Sequence, residues 1–190
     1  MIERRTAIKQ LMATRPRNMF VVPGLGSTTW DLASLGENDR DFYLWGAMGG
    51  AAMIGLGLAL AQPDKRIVVV TGDGEMLMGL GSLATIGVKR PANLAVIVFD
   101  NGVYGETGMQ PSHTQGGVDL LAAARACGFA DCVDVNAEVE LDGLAARLAV
   151  FDAMLFARVQ ITADDPPRIL PERDGVALKR RFRRAIGAST

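Results

Sequence analysis

Hydropathy along the chain falls into short unbroken apolar runs separated by longer mixed stretches. Residues 66–71 (RIVVVT) and 94–99 (LAVIVF) are β-branched and apolar with no polar alternation, the mark of strands covered on both faces. Residues 18–22 (NMFVV) read as a further strand, entered from a helix near 4–14, and 41–44 as a second short one. Residues 48–61 are small or apolar all round, as in a buried helix, and Pro63 ends them. Further helices are expected at about 75–87, 119–127 and 138–151, and a last strand at about 154–161. Strands alternating with helices imply crossover connections. The expected fold class is therefore α/β: a doubly wound, mostly parallel sheet with helices on both faces. Ligands of such sheets bind beyond the carboxyl ends of the strands, so loops 23–29, 45–50, 71–76 and 100–118 are where chemistry is expected.

Length and composition narrow the class further. At 190 residues the chain suits one domain, with a core at about 18–162 and a tail at about 163–190. A formal net charge of −1 gives no long-range attraction to nucleic acid or acidic membranes. Stretch 46–61 is short for a membrane span and carries five glycines, and the start (MIERR) lacks the apolar segment of a secretory signal. Cys127 and Cys132 form no CxxC pair and have no histidine nearby, which argues against zinc. A cytoplasmic protein is the expectation. The basic run 179–184 (KRRFRR) reads as a solvated helix face or a subunit contact rather than a nucleic-acid site.

Two turns stand out. Gly72-Asp73-Gly74 follows the RIVVVT run and opens a helix, while Asp100-Asn101-Gly102 follows the LAVIVF run. Asn101 lies 28 positions after Asp73, room for one helix and one strand, so both side chains can reach the same end of neighbouring strands. The glycines permit close approach to a ligand, and free helix N–H groups favour phosphate. A carboxylate there would repel phosphate unless a cation lay between, and magnesium is the cation that bridges protein oxygens to diphosphate. Asp73, the amide oxygen of Asn101, a loop carbonyl, two diphosphate oxygens and a water would complete its octahedron. Taken singly, Gly-Asp-Gly is a common turn and Asp-Asn-Gly a hairpin signal. Together, each at the end of a buried strand, they form a candidate site.

GDG followed some thirty residues later by an Asn-Asn-like pair resembles the fingerprint of thiamine diphosphate (ThDP)-dependent enzymes. The runs GDGEMLMGLGSLATIG, RPANLAVIVFDNGVYGETGMQPSHT and LAAARACGF are similar to the phosphonopyruvate and sulfopyruvate decarboxylase branch. The resemblance spans most of 18–162. It implies ThDP and Mg²⁺ as cofactors, with Asp73, Asn101 and the Val103 carbonyl as metal ligands. It places Gly24, Ser27, Thr28, Gly72, Gly74, Glu75 and Tyr104 around the cofactor; for Ser27 and Thr28 the alternative is an ordinary helix N-cap. Gly46 and Met48 match the loop beside the cofactor's central rings, where Met48 would wedge the bent molecule; by itself Met48 reads as core filler. His113, the single histidine, and Gln110 fall in a segment the resemblance puts near substrate, although a lone loop histidine otherwise reads as surface.

Two positions depart from the family pattern. Asp100 stands for the first Asn, leaving Asn101 as ligand, and Glu75 stands where a small residue is usual. An acid there opposes the diphosphate charge, so the backbone N–H of Glu75 is expected to bind while its side chain turns away. The family's activating glutamate sits on a separate pyrimidine-binding domain. The expectation is therefore a split 2-oxo acid decarboxylase. This chain would be its β-type subunit, inactive without an α-type pyrimidine-domain partner, in an α2β2 or larger assembly acting on a small 2-oxo acid. The alternatives are a ThDP-dependent carboligase or synthase subunit, a non-catalytic ThDP-like domain, and a nucleotide-binding doubly wound protein. The last lacks GxGxxG at its first strand and GxxxxGK[ST] anywhere.

Overall fold

The computed structural model describes residues 1–188. Five parallel strands form one sheet in the order β1-β2-β3-β7-β6: β1 (Met19–Pro23), β2 (Arg66–Gly72), β3 (Leu94–Asp100), β7 (Leu155–Gln160) and β6 (Asp131–Val135). A two-stranded antiparallel pair, β4 (Val103–Tyr104) and β5 (Gln110–Pro111), lies in the loop after β3.

The unbroken apolar runs became the central strands because both of their faces are covered. Along β2, Val68 and Val70 join one core cluster while Ile67 and Val69 join the other, all with no solvent exposure. Burial of each such side chain stabilises the fold by roughly 1.5–3 kcal/mol. Helices α1 (Arg4–Met12), α2 (Ser27–Ala33) and α7 (Leu141–Val150) supply the first cluster. Helices α3 (Ala51–Ala61), α4 (Asp73–Met78), α5 (Gly81–Lys89) and α6 (Leu120–Ala126) supply the second. The doubly wound parallel sheet expected from the sequence is the observed architecture.

Several boundaries moved, each for a local reason. The helix expected over 75–87 is two helices. Gly79 interrupts it, and a Cβ there would lie 2.2 Å from the carbonyl oxygen of Gly49, so the loop before α3 presses into the break. That loop also shortens α3, which begins at Ala51 rather than 48, because Ala47 and Gly49 have left-handed backbones (φ 60 and 87). Residues 41–44 make only an isolated bridge, Val21 to Asp41, instead of a strand. Residues 138–140 form a 3-10 turn ahead of α7. Strand β6 was not expected from the sequence; it is a sheet edge and mostly part-exposed, so its residues (DCVDV) lack a buried strand's signature.

The basic tail is a helix, α8 (Gly175–Ile186), capped by Asp174. It is more than a solvated face. Leu178, Phe182 and Ile186, spaced by four, are buried, and the Phe182 ring meets Phe20 edge-on at 5.6 Å and Phe42 at 5.1 Å. Arg181 pairs with Glu37, tying the helix to the loop after α2. The last two tail residues lie outside the described part.

Candidate functional site

A cavity opens at the carboxyl ends of β1, β2 and β3. Ser27, Thr28, Met48, Gly72, Asp73, Gly74, Glu75, Asn101, Val103 and Tyr104, ten of the residues singled out from the sequence, line it together. Parallel register puts them there. Gly72 on β2 pairs with Phe99 on β3, so Asp73 and Asn101 leave adjacent strands at the same level.

Asp73 is 2% exposed and opens α4. One of its oxygens accepts from the Ser112 hydroxyl and lies 3.2 Å from that of Thr114. The same Thr114 hydroxyl lies 2.8 Å from Asp100, also buried. Two buried carboxylates thus share the Thr114 hydroxyl, which the Ser112 hydroxyl meets at 2.8 Å. Arg158 stands 3.8 Å from Asp100, and among the described residues no ion pair to Asp73 is found. Burial pushes the Asp73 carboxyl above the usual carboxylate range; the Ser112 hydrogen bond opposes this and the charge of Asp100 adds to it.

The Asn101 side-chain oxygen accepts from the Val103 N–H at 3.0 Å, a turn that brings residue 103 back to the cavity. An amide oxygen has a second lone pair, so this bond leaves ligation open. Among the described residues there is no group of three or more His, Cys, Asp or Glu side chains that could hold a metal. A hard cation would instead have one carboxylate, one amide oxygen and a backbone carbonyl, an all-oxygen set suited to magnesium. The negative charge of Asp73, with no ion pair among the described residues and Asp100 close by, fits such an ion.

Other candidates stand differently. Gly26, with a left-handed backbone (φ 83), precedes α2 and no side chain caps it, so neither Ser27 nor Thr28 is the N-cap. The Thr28 hydroxyl donates back to the Gly24 carbonyl at 3.1 Å. Tyr104 packs its ring on Gly74, where a Cβ would come within 2.6 Å, and its hydroxyl meets His113 Nδ1 at 2.6 Å. His113 and Gln110 do not line the cavity; Gln110 spends its amide on Thr107, donating to the carbonyl at 2.9 Å and accepting from the hydroxyl at 3.0 Å. Gly46 and Gly24 also lie outside the lining.

The Glu75 side chain folds back under Gly24 instead of lying open. It is 6% exposed and accepts from the Thr71 hydroxyl at 2.7 Å and the Gly49 N–H at 3.2 Å. Burial pushes its carboxyl up, against the pull of these donors.

The sequence reading missed Ser112 and Thr114, which brace Asp73 although they sit in the very segment searched for substrate contacts. It also missed Arg4 and Glu106, both at the cavity wall. Arg4 is buried and paired with Asp31 at 2.7 Å. Its place on a helix far from the motifs in sequence gave no signal.

Residues 24–152 match the family described as thiamine pyrophosphate enzyme, C-terminal TPP binding domain. Among similar proteins is phosphonopyruvate decarboxylase of Streptomyces viridochromogenes, 46% identical over 146 residues, covering 77% of this chain and 36% of that protein. Sulfopyruvate decarboxylase subunit beta of Methanocaldococcus jannaschii is 40% identical over 122 residues, 64% of each chain. The subunit of the same name from Methanococcus maripaludis is 34% identical over 172 residues, covering 88% of this chain and 89% of that one. The chain therefore spans about a third of the Streptomyces protein and most of the Methanococcus subunit. Benzoylformate decarboxylase from Polynucleobacter necessarius shares the fold with a TM-score of 0.70 at 20% identity, covering 86% of this chain and 34% of that one. A 2-oxoglutarate:ferredoxin oxidoreductase from Magnetococcus marinus does so with 0.70 at 16%, covering 95% and 73%.

Proposed function

The chain belongs to the thiamine pyrophosphate enzymes, as a bearer of their C-terminal TPP-binding domain, and on that premise we propose that it holds ThDP and Mg²⁺ for the decarboxylation of a small 2-oxo acid. The observation that carries this reading is Asp73: a buried carboxylate beside a second one, in a cavity it shares with Asn101 and Val103. Asp73, Asn101 and the Val103 carbonyl would hold the metal, and Ser27, Thr28 and the Gly72–Glu75 backbone would face the diphosphate. Met48, half-buried at the wall, would press on the cofactor's rings. When bound, thiamine supplies the electron sink that decarboxylation of a 2-oxo acid requires. This chain's part is to anchor and orient. Ser112 and Thr114 fix Asp73 by hydrogen bonds, and Phe99, Ile161 and Met48 give the cavity an apolar wall that limits water.

The relatives named as a beta subunit support a further proposal, that the pyrimidine end of the cofactor and the activating glutamate come from a separate α-type chain in an α2β2 or larger assembly. A sulfonate- or phosphonate-bearing 2-oxo acid is the proposed substrate class, by the names of the same relatives. Among the described residues no helix is long and apolar enough to cross a membrane, in keeping with the proposed cytoplasmic site. Co-expression with a pyrimidine-domain chain, followed by CO₂ release from a panel of 2-oxo acids, tests the reading. CO₂ release is expected only from the pair, with ThDP and Mg²⁺ both present. Full turnover by this chain alone would end the two-subunit proposal.

A further inference from the structure

The carboxylate of Glu75 sits where three segments of the cavity wall meet. Thr71, which donates its hydroxyl at 2.7 Å, is at the end of β2. Gly49, which donates its N–H at 3.2 Å, is in the loop that carries Met48, and the N–H of Ala51, the first residue of α3, also favours the ionised carboxyl. The N–H of Leu25, in the loop that carries Ser27, does the same. Two neutral hydrogen-bond donors, Thr71 and Gly49, and, among the described residues, no ion pair surround this buried group, a set suited to an acceptor-only carboxylate. The space it fills exists because residue 24 is glycine: a Cβ there would lie 1.6 Å from Oε2 and 2.7 Å from Cδ. No positive φ requires that glycine, and the nearest obstacles to an alanine are the carboxylate and, at 3.1 Å, the Thr71 hydroxyl.

We propose that Glu75 is a positioning residue: seated in the space left by Gly24, its carboxylate clamps loops 24–27 and 47–51 to the end of β2 and so sets how Ser27 and Met48 face each other across the cavity. The name of the occupant, ThDP, rests on the proposed function; the clamp is a property of the chain by itself. Because the Gly49 N–H already serves a protein anion, a bound diphosphate would be left to the Ser27–Thr28 wall and to the metal at Asp73 and Asn101.

The test is a double-mutant cycle on the full chain with Glu75→Ala, Gly24→Ala, their combination, and Glu75→Gln. Peptide-level hydrogen exchange and ThDP titration at saturating Mg²⁺ are read for each. Losing two or more charge-assisted bonds should speed exchange in 24–28 and 47–51 by about tenfold or more in each single variant, leaving β2 and β3 unchanged. The combination should be no worse than the worse single, since without the carboxylate the alanine at 24 meets little. Glu75→Gln, with one oxygen left to accept, should fall between wild type and Glu75→Ala. ThDP should bind about tenfold more weakly to both single variants and no more weakly still to the pair. A purely structural role would instead raise exchange across the sheet. Additive effects of the two substitutions, or wild-type exchange in Glu75→Ala, would overturn the clamp. If Glu75→Ala does not fold, the same cycle with Glu75→Ser, which also empties the space beside residue 24, decides by the same criterion. If wild type takes up no ThDP, the cofactor reading falls and the exchange cycle alone judges Glu75.

Discussion

Replacing Asp73 by Asn should raise the stability of the metal-free chain and abolish its response to cofactor, two changes of opposite sign. The Thr114 hydroxyl lies 3.2 Å from an Asp73 oxygen and 2.8 Å from an Asp100 oxygen. Those two carboxylate oxygens are therefore at most about 6 Å apart, where like charges repel by about 3 kcal/mol at an effective dielectric of about 20. Arg158 near Asp100 and the Ser112 hydrogen bond offset part of this, leaving a net gain of about 1–2 kcal/mol when the Asp73 charge is removed. An Asn side chain keeps the shape and an oxygen to accept from Ser112. For a chain of this size each kcal/mol moves the melting midpoint by about 2–4 °C, so Asp73→Asn should melt about 2–8 °C higher than wild type in EDTA. Wild type, given Mg²⁺ and ThDP at about a hundred times their dissociation constant, should gain about 2.7 kcal/mol, and Asp73→Asn almost none. Differential scanning fluorimetry on four samples, each protein with and without ligands, suffices. Should Asp73→Asn melt below wild type in EDTA, or gain as much from the ligands, the charge argument is wrong.

Other consequences follow from named contacts. Met48→Ala should lower turnover of the reconstituted enzyme at least about tenfold, as expected when a group positioning the reacting parts is lost, while shifting stability by under about 1 kcal/mol because the side chain is only half-buried; kinetics and a urea melt separate the two. Phe182→Ala should cost about 3–5 kcal/mol, since its buried ring packs on Phe20 and Phe42, and urea unfolding would show whether α8 belongs to the cooperative core. Asp134 feels burial most strongly, yet its hydrogen bonds from Arg158 outweigh it and hold the carboxyl below its usual range. A depressed folded-state value means that this stabilisation is present above the ordinary Asp range and lost as pH falls through the folded value. Asp134→Asn should therefore flatten acid unfolding below about pH 4, by under about 1 kcal/mol given its exposure to solvent, as read from melts at stepped pH.

The parts legible in the sequence were those fixed by local composition. RIVVVT and LAVIVF could only be strands buried on both faces, and placing GDG and DNG at their ends was enough to bring Asp73 and Asn101 into one cavity. What could not be read depended on contacts across the fold. The break between α4 and α5 comes from Gly49 pressing on Gly79, thirty residues away. Strand β6 holds its place by pairing with β7 rather than through its own apolar pattern. Ser112 and Thr114 look like ordinary loop residues until the loop after β3 folds back onto Asp73. The orientation of Glu75 depends on a missing Cβ at Gly24. The basic run 179–184 hid Phe182 among arginines, so its helix reads as a surface feature until the spacing of Leu178, Phe182 and Ile186 is seen packed.

Isothermal titration of ThDP into this chain, once with Mg²⁺ and once with EDTA, tests the central claim most directly. Saturable one-site binding is predicted with Mg²⁺, weak but measurable without the partner chain, and none in EDTA or in Asp73→Ala. Binding of equal strength in EDTA, or none with Mg²⁺ up to millimolar ThDP, would contradict a metal-bridged diphosphate at Asp73 and Asn101.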